Sequence, residues 1–194
     1  MRIGYGWDSH EFKAGTPLKL GGVELAHDKG LAGHSDGDVL LHALTDALLG
    51  AIAAGDIGTL FPPSDPQWKG ADSAIFVAEA MRRVEAAGYV VANADTTLIL
   101  AAPKIAPHAA RIQQRLADLL NVDPTCVGVK AKTPEGMGTD NAAIAHAVVL
   151  LDRGGDDPLR LMEAAEALPQ AVVDETVEEV LEESIPEEVV KPHR

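Results

Sequence analysis

The sequence predicts an α/β (α+β) chain, one sheet covered by helices, and three observations carry that expectation. Stretches rich in β-formers alternate with stretches whose apolar residues recur at helical spacing, the pattern of helices laid on a sheet. Hydrophobic residues fill 46% of the 194 positions but aromatic residues only 4%, so a core of Ala, Val, Leu and Ile favours close-packed helices on a sheet over a small aromatic barrel. A chain of this length buries one good core, with some length to spare.

Residues 2–10 read as an opening strand, in which the i, i+2 spacing turns Asp8 and His10 to one face. Residues 17–20 and 23–25 flank Gly21-Gly22 and read as a short hairpin. The loop Gly33-His34-Ser35-Asp36-Gly37-Asp38 then opens a helix that starts at Val39 and stops near Gly55. At i, i+4 and i+8, Asp38, His42 and Asp46 share one face of that helix, while Leu40, Leu44, Ala47 and Leu48 cover another. A polar seam on an apolar helix costs desolvation energy unless its groups are paired or hold a metal. A buried His bonded to a neighbouring Asp satisfies that condition as well as a metal site does.

Prolines and glycines mark residues 55–73 as an irregular loop, of a length that in compact domains is functional or mobile. Asp72 or Ser73 caps a second helix through Ala87, stopped by Gly88. Residues 89–101 form a strand, and Pro107 suits the first turn of a third helix carried by Ile112, Leu116, Leu119 and Leu120. Residues 126–132 and 144–151 are the closing strands, the last with Ile144, His146, Val148 and Leu150 on one side. The reading is one domain over residues 1–154, followed by an acidic C-terminal tail over 155–194. The tail's acidic residues, Asp156 to Glu188, face only Arg160, Lys191 and Arg194, which predicts a disordered or partly helical segment.

The net charge of −14 excludes a nucleic-acid surface, which needs clustered Lys and Arg, and disfavours an anionic membrane. Cys126 is the single cysteine, so no internal disulfide forms and a reducing compartment is expected. No basic start leads into an apolar signal region, and no run of about eighteen apolar residues occurs. The expected location is cytoplasmic.

Two constellations carry chemistry. Asp8, His10 and His42 supply one carboxylate and two imidazoles, a set that suits Zn²⁺ with an open fourth position. Three unrelated polar residues account for the spacing equally, because His42 lies far along the chain from Asp8. The second constellation, Lys130-Ala131-Lys132-Thr133-Pro134-Glu135-Gly136, ends a strand with groups able to hold phosphate oxygens and Mg²⁺. A solvated turn with a charged rim is the plain alternative.

Several separated motifs, in order, resemble one family. They are Arg2-Ile3-Gly4-x-Gly6-x-Asp8-x-His10; His34-Ser35-Asp36-Gly37-Asp38 with His42-Ala43-Leu44-Thr45-Asp46-Ala47-Leu48-Leu49-Gly50; Gly55-Asp56-Ile57-Gly58 with Phe61-Pro62; Ala102-Pro103-Lys104; and Lys130-Ala131-x-Thr133-x-Glu135. Over about residues 1–152 the chain resembles the 2-C-methyl-D-erythritol 2,4-cyclodiphosphate synthases. That resemblance implies a mixed four-stranded sheet with helices packed on one face, assembled as a homotrimer with active sites between adjacent subunits. The implied activity is a CMP-releasing phosphorus–oxygen lyase reaction on 4-diphosphocytidyl-2-C-methyl-D-erythritol 2-phosphate, in non-mevalonate isoprenoid synthesis.

By resemblance, Asp8, His10 and His42 hold Zn²⁺ or another divalent cation, and Glu135 holds Mg²⁺ or Mn²⁺ beside the substrate diphosphate. Asp8, His10, His34, Ser35, Asp56, Ile57, Gly58, Phe61 and Asp65 form the erythritol and 2-phosphate side, with residues 61–65 as a lid. Leu100, Pro103, Lys104 and Ala106 take the cytosine and nucleotide phosphates together with Lys132, Thr133 and Glu135. His34 and Thr133 are the implied catalytic residues, and Asp46 is expected to fix the His42 ring. The chain departs from the pattern at Gly138-Thr139-Asp140-Asn141, where relatives carry a longer segment with an aromatic and an arginine; the family's axial ligands are therefore not carried over. The same three ligands also suit a Zn²⁺-dependent phosphohydrolase or a binding module with structural Zn²⁺.

Overall fold

Alternation along the first strand sets the plan of the molecule, which the computed structural model describes over residues 1–154; the tail expected over 155–194 lies outside the described residues. β1 (Arg2–Ala14) runs four residues past its expected end. It buries Gly4 and Gly6 on one face and leaves Ile3, Tyr5 and Trp7 exposed on the other. Gly4 and Gly6 are glycines for a reason: a Cβ on either would stand 1.9 Å from a backbone oxygen of the first helix. That helix, α1 (Val39–Ala51), therefore lies directly on the strand.

β7 (Ala142–Arg153) pairs antiparallel with β1, and β5 (Tyr89–Ile99) pairs antiparallel with β7. β6 (Val127–Lys132) joins β5 in parallel, a pairing that needs a crossover, here made by α4 (Ala109–Leu120). A three-residue strand, β4 (Lys29–Leu31), extends the far edge, giving the order β4-β1-β7-β5-β6. The sheet is thus mixed, as expected, but five-stranded rather than four-stranded. β4 escapes a sequence reading because it is short and embedded in a Gly- and His-rich loop. The expected hairpin forms as β2 (Leu18–Leu20) and β3 (Val23–Leu25).

Helix α1, with α3 (Ala74–Ala86) and α4, covers the face on which Gly6, Ala147 and Thr96 lie in register. β7 buries its small residues, Ala143, Ala145 and Ala147, there. The bulkier set singled out in the sequence, Ile144, His146, Val148 and Leu150, belongs to the opposite face, beside Tyr5 and Trp7. The interval 55–73 is less irregular than expected: it holds the short helix α2 (Ile57–Leu60) and a 3-10 turn at Pro66–Trp68. Helix α1 ends at Ala51 rather than near Gly55, because Ala53 turns to a positive φ of 56°. No described helix is long and apolar enough to cross a membrane.

Candidate active site

The face of β1 that begins with Gly4 and Gly6 continues with Asp8 and His10, and α1 lies over the same face. His42, on the first turns of α1, is thereby set opposite them. Asp8 Oδ2 lies 2.9 Å from both His10 Nε2 and His42 Nδ1, and those two nitrogens are 3.0 Å apart. Three donor atoms thus form a small triangle, one from a carboxylate and two from imidazoles, all within 4.8 Å of one another. This set fits a divalent cation with bonds of about 2.0–2.2 Å and a vacant fourth position. Burial raises the Asp8 pKa, but the bonds from His10 and His42 outweigh it and hold the carboxyl well below its ordinary range. Burial likewise lowers His10, and the Asp8 bond outweighs that to raise it. His10 Nδ1 is fixed by the Ala32 carbonyl.

The expected polar seam on α1 splits three ways. Asp38 is the wholly buried N-cap, accepting the Leu40 and Leu41 N–H groups at 3.2 and 3.1 Å and those of Gly21 and Gly22 at 2.9 and 2.6 Å. It ties the β2–β3 hairpin to the helix and takes no part in the triangle. Asp46, expected to fix the His42 ring, makes no hydrogen bond to it; its Oδ1 accepts the Ile57 N–H at 2.7 Å and so anchors α2. Burial pushes the Asp46 carboxyl up, against the Ile57 bond that pulls it down. His42 Nε2 instead meets two hydroxyls, Ser35 Oγ and Ser73 Oγ, each at 3.0 Å.

A cavity of about 230 Å³ opens over the triangle, lined by Asp8, His10, His34, Ser35, His42, Ile57 and Gly58 and closed by Phe61, Pro63, Trp68 and Phe76. Phe61 stacks against Phe76 at 4.6 Å and meets Trp68 edge-on at 5.1 Å. Asp56 caps α2 through the Thr59 N–H, and Asp65 caps the 3-10 turn through the Gln67 N–H; neither lines the cavity. Ser73, Phe76 and Trp68 were not among the expected site residues, and Pro63 entered only within the 61–65 lid. Ser73 gave only a capping signal and Phe76 only helical periodicity, so chain-local patterns could not place them here.

A second cavity, of about 410 Å³, lies at the ends of β5 and β6. Leu100, Pro103, Lys104 and Ala106 line it together with Lys132, Thr133 and Glu135. Here the Thr133 hydroxyl donates to Glu135, whose backbone takes a positive φ of 49°. Lys130 turns away to pair with Asp95. The two cavities share no lining residue. The predicted site residues, apart from Asp46, Asp56 and Asp65, therefore fall into two separate cavities.

A family model described as the YgbB family matches residues 1–152. A 2-C-methyl-D-erythritol 2,4-cyclodiphosphate synthase of Koribacter versatilis (strain Ellin345) is 63% identical over 153 residues, 79% of this chain and 99% of that protein. The chloroplastic synthase of Oryza sativa subsp. japonica is 50% identical over 156 residues, 79% of this chain and 70% of that protein. A solved structure of such a synthase in a CDP-bound form matches with a TM-score of 0.74 at 46% identity, over 78% of this chain and 100% of that one. On this similarity, and with the Asp-His-His triangle in place, the chain belongs to the YgbB family, the family of 2-C-methyl-D-erythritol 2,4-cyclodiphosphate synthases.

Proposed function

We propose that the chain converts 4-diphosphocytidyl-2-C-methyl-D-erythritol 2-phosphate into 2-C-methyl-D-erythritol 2,4-cyclodiphosphate and CMP, a phosphorus–oxygen lyase step of non-mevalonate isoprenoid synthesis in the cytoplasm. The observation that carries this reading is the triangle of Asp8, His10 and His42 at the base of a cavity rimmed by His34 and Ser35.

One oxygen of the 2-phosphate attacks the β-phosphorus, and the bond from that phosphorus to the bridging oxygen breaks, its electron pair leaving with CMP. The nucleophile is already ionised near neutral pH, so catalysis consists of placing two anionic groups in line and cancelling their charge. His34 and Ser35 orient the attacking phosphate. Ile57, Gly58 and Phe61 enclose the erythritol, with Asp56 and Asp65 capping the segments that carry this wall and Asp46 steadying it through Ile57. Leu100, Pro103 and Ala106 frame the cytosine, while Lys104, Lys132 and Thr133 face the phosphates. Zn²⁺ or another divalent cation held by Asp8, His10 and His42, and Mg²⁺ or Mn²⁺ held by Glu135, supply charge neutralisation at the phosphate oxygens.

Two features support assembly as a homotrimer. The open sheet face carries Ile3, Tyr5 and Trp7, at 70%, 60% and 50% exposure, beside Val148, an apolar patch suited to a second copy of the chain. The separate cavities are two halves of a site that adjacent subunits complete. In trimers reassembled from equal amounts of His42→Ala and Thr133→Ala chains, one site in four receives both intact halves. About a quarter of the unmodified activity is expected to return. Activity no higher than that of either variant alone would place the whole site within one subunit.

The reaction itself is tested by ³¹P NMR of the protein with 4-diphosphocytidyl-2-C-methyl-D-erythritol 2-phosphate, Mg²⁺ and Zn²⁺. Two mutually coupled cyclic-diphosphate signals, together with CMP, are expected. Linear phosphate products identify a hydrolase, and bound metal without turnover identifies a binding module.

A further inference from the structure

Ser73 stands at the N-cap of α3, where a serine hydroxyl ordinarily accepts a backbone N–H of the first turn. Its side chain makes no such bond; Asp72 Oδ1 takes the Ala74 N–H instead, at 2.9 Å. The wholly buried Ser73 hydroxyl is thereby free for another task. It lies 3.0 Å from His42 Nε2 and 2.5 Å from Asp36 Oδ1.

A hydroxyl has one proton to give, and an ionised carboxylate accepts only. Burial raises the Asp36 pKa, but the Ser73 hydroxyl and the Lys19 ammonium, 3.1 Å from Oδ2, outweigh it and hold Asp36 below its ordinary value. The Ser73 proton therefore goes to Asp36, and Ser73 Oγ faces His42 as an acceptor. An imidazole with its hydrogen on Nε2, at 3.0 Å, is the nearest donor to that acceptor; the Ser35 hydroxyl lies farther, at 3.3 Å. Nδ1 faces Asp8 Oδ2 and His10 Nε2, so that a hydrogen on Nδ1 bonds Asp8 in the metal-free protein and a bound cation would take the place of that hydrogen. Ser35 Oγ lies equally near Nε2, but its own proton is uncommitted, so it accommodates either tautomer and selects neither.

We infer that Ser73, held by Asp36 and Lys19, is a positioning residue that accepts the Nε2–H of His42 and so aims Nδ1 at the metal position. The inference rests on the proposed reading of Asp8, His10 and His42 as metal ligands. It gives to Ser73 the task the sequence had suggested for Asp46. Asp36 lies on the loop that carries His34 and Ser35, and Ser73 opens the helix that carries Phe76. The same three side chains thus couple the rim of the cavity to the ligand at its base. Metal-ligating histidines depend on such partners, and loss of one costs about 10- to 100-fold in metal affinity.

The test has two parts. Long-range ¹H–¹⁵N correlation spectra of the Zn²⁺-loaded protein at pH 8 should show His42 with a protonated Nε2 and its metal on Nδ1; metal on Nε2 with a protonated Nδ1 overturns the inference without any substitution. Co²⁺ is then titrated into metal-free unmodified, Ser73→Ala, Asp36→Asn and His42→Ala proteins, with circular dichroism to confirm folding. Ser73→Ala should lose about 10- to 100-fold in Co²⁺ affinity and shift the visible absorption bands of the bound ion. Asp36→Asn, which keeps the serine, should lose less in the same direction, and it carries the comparison if Ser73→Ala does not fold. Binding that depends on His42 but is unchanged in affinity and spectrum by both other substitutions overturns the relay alone. Binding that is independent of His42 overturns the metal-site reading and the relay with it.

Discussion

Replacing His42 by alanine is expected to lower kcat/KM for cyclodiphosphate formation by about 10³-fold or more, roughly 4 kcal/mol of transition-state stabilisation, and to abolish stoichiometric metal binding. The reason is the division of labour between elements. β1 supplies Asp8 and His10 from one strand face, but the third donor comes only from α1. Two donors without the third leave a site open on two sides, with Asp8 still buried enough to feel the loss of a partner. The effect on folding is smaller: two serine hydroxyls lose their shared nitrogen and Phe76 loses a ring contact at 6.1 Å. That is a cost of about 1–2 kcal/mol and a melting temperature lower by a few degrees. Metal analysis after dialysis, CMP release and thermal melting separate the three quantities. A variant that melts normally and still cyclises substrate without bound metal would remove His42 from the site.

A Gly6→Ala substitution should act through the fold instead. The new Cβ would stand 1.9 Å from the Ala43 oxygen and 2.7 Å from the Ala47 nitrogen, both backbone atoms of a helix whose apolar side chains are buried throughout. Neither atom belongs to a side chain that can swing away, so α1 must lift off β1 by more than 1 Å along the layer where it is packed most closely. A cost of about 4 kcal/mol or more is expected, most of the margin of a domain stable by roughly 5–15 kcal/mol. At about 2–4 °C per kcal/mol for this size, a variant that still folds would melt roughly 10–15 °C lower. Lifting α1 also carries His42 away from Asp8 and His10, so surviving protein should bind metal poorly. Gly50→Ala is the matched control on the same helix: its Cβ would have only the Tyr5 oxygen near, at 3.9 Å, and helix propensity favours the alanine by about 0.5–1 kcal/mol. Equal melting temperatures for Gly6→Ala and the unmodified protein would show that the strand and helix are not in the close register described.

Features with local signals were legible in the sequence. Asp8 and His10 share a face by the two-residue period of a strand, and α1 announces itself by an apolar run behind a polar loop. The ends of elements were less so: Ala53 ends α1 by adopting a left-handed backbone that nothing in its side chain advertises. Asp38, His42 and Asp46 share spacing, yet they meet the hairpin, the ligand triangle and α2 respectively, since each faces a different neighbour that arrives from elsewhere in the chain.

By itself, then, the sequence determined the alternation of strands and helices, the pairing of Asp8 with His10, the helix that bears His42 and the motifs that mark the family. Only the tertiary structure decided that His42 Nδ1 closes the triangle, that Ser73 rather than Asp46 stands behind the ring, and that the small residues of β7 face inward. The first depends on how closely α1 crosses β1. That distance is set by two missing side chains, at Gly4 and Gly6, whose effect appears only when residues some forty positions apart are brought into van der Waals contact.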